Sequence, residues 1–268
     1  MGFLNEIVTA NRSTVEDPRY LTGLPSTRPA SRRSLREAIE AQRKEGALLA
    51  EYKRISPGQS EPVLSPRTIS RFVADCEAAS PAGYSCLATR PVFDGSPLDV
   101  LDLARSSRAP VLFKDFVFSP RQLEAAERAG ASAVLLIARL ARTNAAETPL
   151  RDLAAEAHGR RLEVLLELHA GAELSEVEDV AADMYGVNVR DLDTLRIERP
   201  TAEATIRRAH EAGLRPILGL SGVESPADAA RFWSAGVDGI LVGTALSRTD
   251  RPAELLRRLR RASGESNR

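Results

Sequence analysis

Lysine is scarce in this sequence. Of the 37 basic residues, only Lys44, Lys53 and Lys114 are lysines, and the others are arginines. Arginine keeps its proton near neutral pH, whereas a partly desolvated lysine can release it. Lys53 and Lys114 each end a short apolar run, and we interpret both as placed for chemistry; the alternative is chance retention. Lys44 lies in a charged, helical stretch and is predicted to be a surface residue.

Disulfides, net charge and long apolar runs are also lacking. Two cysteines form neither a disulfide framework nor a metal motif. The formal net charge is zero, so no overall field attracts nucleic acid or an acidic membrane surface. No apolar run is long enough to span a bilayer, and the first residues lack the pattern of a secretion signal. We expect a cytoplasmic enzyme, a monomer or weak homo-oligomer, with no nucleic-acid or membrane partner.

Short apolar runs, interpreted as strands, alternate with segments of helical periodicity. They lie near residues 47–53, 84–88, 110–114, 132–138, 162–167, 184–188, 215–220 and 239–243. Eight strand–helix units in about 250 residues are typical of a (β/α)₈ barrel. The alternative, a doubly wound open sheet, needs a glycine-rich phosphate fingerprint where this chain has Ser56-Pro57-Gly58. We therefore predict the α/β class: a single TIM barrel over 46–268, covered by an N-terminal helical extension over 1–45.

The extension contains two predicted helical segments. Apolar residues from Phe3 to Val8 predict one short amphipathic turn or two. Ser34 is predicted to cap a second helix over 34–40.

Glu51 and Lys53 lie two residues apart in the first predicted strand, so their side chains point to the same side. Burying such a pair is unfavourable unless it is well compensated. A chain tolerates it where the pair contacts a ligand or transfers protons, because each group tunes the pKa of the other. The alternative is an ordinary structural ion pair.

The active site of a (β/α)₈ barrel lies at the carboxyl ends of its strands. The residues predicted there are Glu51, Lys53, Ser56, Lys114, Asp115, Phe116, Glu167, Asn188, Arg190, Ser221, Gly222, Gly243 and Thr244. The two glycine turns follow the seventh and eighth strands, where barrels commonly bind a phosphate. Pattern alone thus predicts a barrel enzyme that acts on a phosphorylated small molecule by acid–base chemistry.

Several of these residues stand in motifs that occur in the order of one family. The motifs are AEYKRISP at 50–57, FDGS at 93–96, VLFKDF at 111–116, VLLIA at 134–138, LELH at 166–169, GVNVRDL at 186–192 and LVGTAL at 241–246. Over residues 34–252 the chain resembles indole-3-glycerol phosphate synthase, the ring-closing enzyme family of tryptophan biosynthesis.

The resemblance implies a reaction and a role for each motif residue. The substrate would be 1-(2-carboxyphenylamino)-1-deoxyribulose 5-phosphate, which closes to indole-3-glycerol phosphate with loss of CO₂ and water and without a metal or organic cofactor. Lys114 would be the main general acid and Glu167 its acid–base partner in the dehydration. Lys53 would contact the substrate carboxylate or share the acid role, and Glu51 would hold the network and handle protons.

The resemblance also implies the substrate-binding residues. Asn188 and Arg190 would orient the substrate, and Phe93 and Phe116 would wall the aromatic ring. The residues that would hold the phosphate are Ser56, Ser221, Gly222, Gly243 and Thr244.

One position departs from the family, which carries Glu-Ser-Gly after its seventh strand. Here the glutamate is replaced by Leu220, which would line the substrate pocket, remove a negative charge and a hydrogen-bond acceptor, and make the pocket more apolar. Three hypotheses follow: a working synthase, a paralogue that acts on a modified aminobenzoate conjugate, and a binding barrel without chemistry. The retained charges of the two lysines and two glutamates argue against the third.

Overall fold

Eight parallel strands close into a barrel in which each strand pairs with the next and β1 pairs with β8. The strands are β1 (Ala47–Tyr52), β2 (Gly83–Leu87), β3 (Val111–Lys114), β4 (Ala133–Ile137), β5 (Glu163–Leu168), β6 (Met184–Asn188), β7 (Ile217–Leu220) and β8 (Gly239–Val242). The structure is a computed structural model and describes residues 2–29, 33–55, 68–142 and 148–266. The predicted fold class and the eight predicted strands are confirmed. Strand β7 starts two residues later than predicted because Pro216 has no N–H to donate to the ladder.

The helices lie before, between and after the strands. They are α1 (Phe3–Glu16), α2 (Leu35–Gln42), α3 (Ile69–Glu77), α4 (Pro97–Ser106), α5 (Pro120–Arg128), α6 (Leu150–Gly159), α7 (Arg199–Glu211), α8 (Pro226–Ala235), α9 (Thr244–Ser247) and α10 (Pro252–Ser266), with 3₁₀ turns at Pro18–Leu21, Arg43–Glu45, Ala138–Arg142 and Gly171–Glu176. Ser34 caps α2 as predicted, by accepting a hydrogen bond from the N–H of Glu37. Among the described residues, no helix combines the length and the apolar character that a membrane span requires.

The first helix is much longer than predicted. Instead of one or two turns, α1 runs for 14 residues and buries Leu4, Ile7, Val8, Asn11 and Val15 along one stripe. The polar Asn11 interrupts the apolar periodicity, which hides the second half of the helix in the sequence. The helix ends where Asp17 precedes a proline, a position that disfavours helical backbone.

The fifth strand–helix unit also differs from the expected pattern, because a 3₁₀ turn, Gly171–Glu176, stands between β5 and β6 in place of an α-helix. Glu173 and Glu176 of this turn form ion pairs with Arg139 and Arg142 of the 3₁₀ turn after β4, and these pairs hold the two turns together.

The strands and the helices share one apolar core. Interior residues of the strands, such as Leu49, Leu112 and Leu165, are fully buried, and the inner faces of the helices pack outside them. Helices α1 and α2 precede β1, and the division of the chain between residues 45 and 46 stays a prediction.

Candidate active site

The register of the barrel brings the candidate catalytic side chains to one end. Glu51 stands one residue before the end of β1, Lys114 ends β3, and Glu167 stands one residue before the end of β5. Because the strands are parallel, their carboxyl ends open on the same face. These three side chains line one cavity there, together with Lys53 and Asn188.

The carboxylate of Glu51 lies between the two lysines of the cavity. Its Oε1 is 3.4 Å from Nζ of Lys53, and its Oε2 is 3.7 Å from Nζ of Lys114. Glu51 is 5% exposed, and its Oε2 accepts no hydrogen bond from any described residue. The pair predicted from the sequence is therefore an ion pair that also faces the cavity. A buried oxygen without a donor is open to a hydrogen bond from a ligand.

Lys53 is held from two sides. Its Nζ pairs with Glu51 and donates a hydrogen bond of 2.8 Å to Oγ1 of Thr244. Burial lowers the pKa of Lys53, the charge of Glu51 raises it, and the charge of Lys114 lowers it further. The net result is a lowered pKa, which makes Lys53 a better proton donor near neutral pH than an exposed lysine.

Glu167 is buried, and burial raises the pKa of its carboxyl group. The charge of Lys114 and a hydrogen bond from Asn188 Nδ2 to Glu167 Oε1, 3.0 Å long, act in the opposite direction. A raised pKa suits a group that must both release and accept a proton near neutral pH.

Asn188 connects Glu167 to the loop that follows β6. Its Oδ1 accepts a hydrogen bond of 3.0 Å from the backbone N–H of Arg190. The guanidinium of Arg190 donates to the carbonyl of Leu195 at 2.8 Å, and both residues line the cavity. Asn188 thus contacts the carboxylate of Glu167, and Arg190 lines the same cavity.

Aromatic side chains line another side of the cavity. The ring centroids of Phe93 and Phe116 lie 6.3 Å apart. Phe3 of α1 joins them, and Leu192 and Leu195 of the loop after β6 also line the cavity. Phe3, Leu192 and Leu195 could not be recognised from the sequence, because an apolar residue in a covering helix or a loop has the same pattern whether it faces a cavity or the core.

The loops after β7 and β8 line the part of the cavity where the sequence predicts a phosphate site. Ser221, Gly222, Gly243 and Thr244 all line the cavity, and so does Arg248, which the sequence analysis missed. Ser221 has a φ of +63° and Gly222 one of +66°. Positive φ is uncommon for a residue other than glycine, and such strain is frequent at functional sites. Ser56 lies outside the described residues.

Leu220 ends β7, which lies between β6 and β8 in the barrel. It pairs in register with Asn188, is 1% exposed and lines the cavity. Its side chain fills the space above Gly186, where an added Cβ would lie 2.5 Å from Leu220 Cδ1. An apolar side chain therefore occupies the place at the end of β7 where the family carries a glutamate.

Comparison with known proteins identifies the family. The family model described as indole-3-glycerol phosphate synthase matches residues 4–259. The chain belongs to the indole-3-glycerol phosphate synthase family. Membership confirms the expected enzyme class, a decarboxylating carbon–carbon lyase of tryptophan biosynthesis that acts on a small phosphorylated substrate.

Curated relatives in this family match almost the whole chain. Indole-3-glycerol phosphate synthase of Staphylococcus aureus (strain bovine RF122 / ET3-1) is 32% identical over 265 residues, which cover 97% of this chain and 98% of the relative. The enzyme of strain Newman is 31% identical, with the same coverage of both chains.

Solved structures support the fold alone. Thiamine phosphate pyrophosphorylase from Pyrococcus furiosus superposes with a TM-score of 0.59 at 16% identity, over 84% of this chain and 98% of that one. The structure of 3-hexulose-6-phosphate synthase from Salmonella typhimurium gives 0.59 at 13% identity, over 82% and 99%.

Proposed function

We propose that this chain performs the family's ring closure with Lys114, Glu167, Lys53 and Glu51 as its proton-transfer groups. The substrate is 1-(2-carboxyphenylamino)-1-deoxyribulose 5-phosphate, and the products are indole-3-glycerol phosphate, CO₂ and water. The observation that carries the proposal is the shared carboxylate of Glu51, which approaches both lysines within 4 Å at the open end of the barrel.

Lys114 is the general acid for ring closure. As the aromatic carbon attacks the ketose carbonyl, the carbonyl oxygen takes a proton from the ammonium. Lys114 is partly exposed and lines the same cavity as Phe116, so its proton can reach a substrate held against the aromatic wall. The substrate carboxylate then leaves as CO₂, which restores the aromatic ring. A general acid of this kind contributes roughly 10²–10⁴-fold in rate.

Glu167 is the partner for loss of water. Its raised pKa keeps more of the protonated form near neutral pH than an exposed glutamate has. The protonated carboxyl gives its proton to the departing hydroxyl, and the carboxylate then takes one from the ring intermediate. Asn188 and Arg190 orient the substrate beside it.

Lys53 holds the substrate carboxylate or shares the acid role, and Glu51 keeps both ammonium groups in place and handles protons. Gly222, Gly243, Thr244 and Ser221 bind the phosphate, and Phe93 and Phe116 contact the aromatic ring. Ser56 is included in the phosphate set on the resemblance of its motif.

A spectroscopic assay for formation of the indole ring tests these roles. Purified protein is mixed with the carboxyphenylamino substrate, with Lys114→Met beside the unmodified chain. Lys44→Met is the matched control, because Lys44 is exposed in the 3₁₀ turn before β1. Turnover lost in Lys114→Met and kept in Lys44→Met supports the proposal, whereas equal turnover in all three overturns it.

A second candidate is favoured by Leu220. In a paralogue that acts on a modified aminobenzoate conjugate, an apolar side chain in place of the carboxylate would reshape the substrate pocket. Turnover of the unsubstituted substrate by the unmodified chain decides against it. Turnover that appears only in Leu220→Glu would favour it.

The cytoplasmic location, the monomeric or weakly associated state and the absence of nucleic-acid and membrane partners stay predictions. They rest on the zero net charge and the apolar pattern of the sequence.

A further inference from the structure

A buried amide lies in the apolar stripe of α1. Asn11 is 1% exposed, and its neighbours in the stripe are Ile7, Val8 and Val15. Burying an amide is unfavourable unless its polar atoms find partners, so a stripe that serves only for packing would carry an apolar residue here. Asn11 therefore has a specific partner.

The partner is Asp115, the residue directly after Lys114. Asn11 Nδ2 donates to Asp115 Oδ1 at 3.1 Å. The same carboxylate accepts hydrogen bonds from Thr89, from Gln122 and from the backbone N–H of Phe116. These bonds tie the carboxyl end of β3 to neighbouring segments, and the bond from Asn11 is the one that comes from α1.

The same helix also reaches the cavity. Phe3, Ile7 and Asn11 are spaced by four residues and so lie along one face of α1. Phe3 lines the cavity, and Gly2 packs so closely on Asp193 that an added Cβ would overlap its carboxylate. The first residue of α1, Phe3, thus lines the cavity, while Asn11 bonds to Asp115, the residue that follows Lys114.

We propose that Asn11 is a positioning residue for the reaction. Through Asp115 it fixes the end of β3 and keeps the ammonium of Lys114 directed at Glu51 and the cavity. The proposal rests on the proposed role of Lys114. Because reaction rates are sensitive to misplacement of a catalytic group by about 1 Å, loss of the bond affects the chemical step more than substrate binding.

The test compares Asn11→Leu with Asn5→Leu. Leucine at position 11 continues the apolar stripe at a similar side-chain size, so α1 retains its packing and loses the amide that bonds to Asp115. Asn5→Leu makes the same chemical change in the same helix, where the side chain is partly exposed. Both variants are assayed well below their own unfolding temperatures, so that loss of folding does not imitate loss of rate.

In Asn11→Leu we expect kcat to fall about 10-fold with a smaller change in KM, while Asn5→Leu stays near the unmodified chain. A second readout needs no substrate. With three lysines in the chain, labelling by an amine-selective reagent is resolved for each of them by mass spectrometry. We expect labelling of Lys114, relative to the exposed Lys44, to rise at least twofold in Asn11→Leu only.

A rise in KM with unchanged kcat and unchanged labelling would overturn the proposal, because Asn11 would then act only by holding α1 over the cavity. Equal kinetics and labelling in the two variants would overturn it as well. Absence of turnover in the unmodified chain would instead contradict the proposed function, and the labelling ratio would still test whether Asn11 positions Lys114.

Discussion

Gly243 leaves the space that the carboxylate of Glu51 occupies. A Cβ added at Gly243 would lie 2.3 Å from Glu51 Oε1 and 3.2 Å from Lys53 Nζ. A side chain at position 243 would therefore meet the carboxylate of Glu51 first. The turn after β8 therefore leaves room for two of the proposed proton-transfer groups, Glu51 and Lys53.

Gly243→Ala should reduce activity without unfolding the protein. The added methyl group meets the end of a flexible side chain, so Glu51 moves and the barrel keeps its packing. We expect kcat/KM to fall roughly 10- to 100-fold, because a displaced catalytic group is costly, with the unfolding temperature nearly unchanged. Gly159→Ala is the control, since a Cβ there meets nothing within 4 Å. Equal activity in both variants would contradict the argument.

Lys53 should titrate below the usual lysine range. Burial lowers its pKa, and the charge of Glu51 raises it. The pH at which Lys53 begins to react with an amine-selective reagent is therefore expected to lie below the usual lysine range, and in Glu51→Gln it should move further down because the stabilising charge is gone. Peptide mass spectrometry measures this, with the exposed Lys44 as an internal check on the reagent. A rise in Glu51→Gln would contradict the assigned coupling.

The strands and the charged residues of the site could be predicted from the sequence, since each depends on a local pattern. A run of apolar residues ends at Lys53 and another at Lys114, and parallel strands bring such ends to one face. What the sequence did not reveal depends on contacts between distant segments. Phe3 reaches the cavity only because α1 packs against the barrel. In the sequence, the polar Asn11 looks like the end of an amphipathic helix, because its partner Asp115 lies in a distant segment.

The orientation of Leu220 could be predicted in part. Its position at the end of β7 placed it in the site, but its packing against Gly186 depends on the register between β6 and β7. Glu224 and Arg248 also line the cavity, but they stand outside the strands. No hydrophobic periodicity in the sequence predicts that these segments approach the site.

Asn188→Ala should move the pH dependence of the reaction. The hydrogen bond from Asn188 stabilises the charged form of Glu167 and lowers its pKa. Without the donor, the pKa of Glu167 rises above its already raised value. The limb of the kcat pH profile that Glu167 governs is therefore expected to shift to higher pH.

Glu167→Gln is the control for that assignment, since the limb should disappear when the carboxyl group is removed. Glu211→Gln changes an exposed glutamate at the end of α7 and should leave the profile intact. A shift to lower pH in Asn188→Ala would contradict the role assigned to the hydrogen bond.

Glu224→Gln should strengthen binding of the phosphorylated substrate. Glu224 lines the predicted anion-binding end, and its Oε2 is 3.6 Å from Arg248 Nη1. The pair is exposed, so its loss costs little stability, about 0–1 kcal/mol. The neutral side chain removes a repulsive charge and releases Arg248 for the phosphate, so KM should fall a few-fold. Because salt screens exposed charges, the difference should shrink at high ionic strength. Glu211→Gln is the matched control, and a higher KM in Glu224→Gln would mean that the carboxylate is needed to hold Arg248 in its binding position.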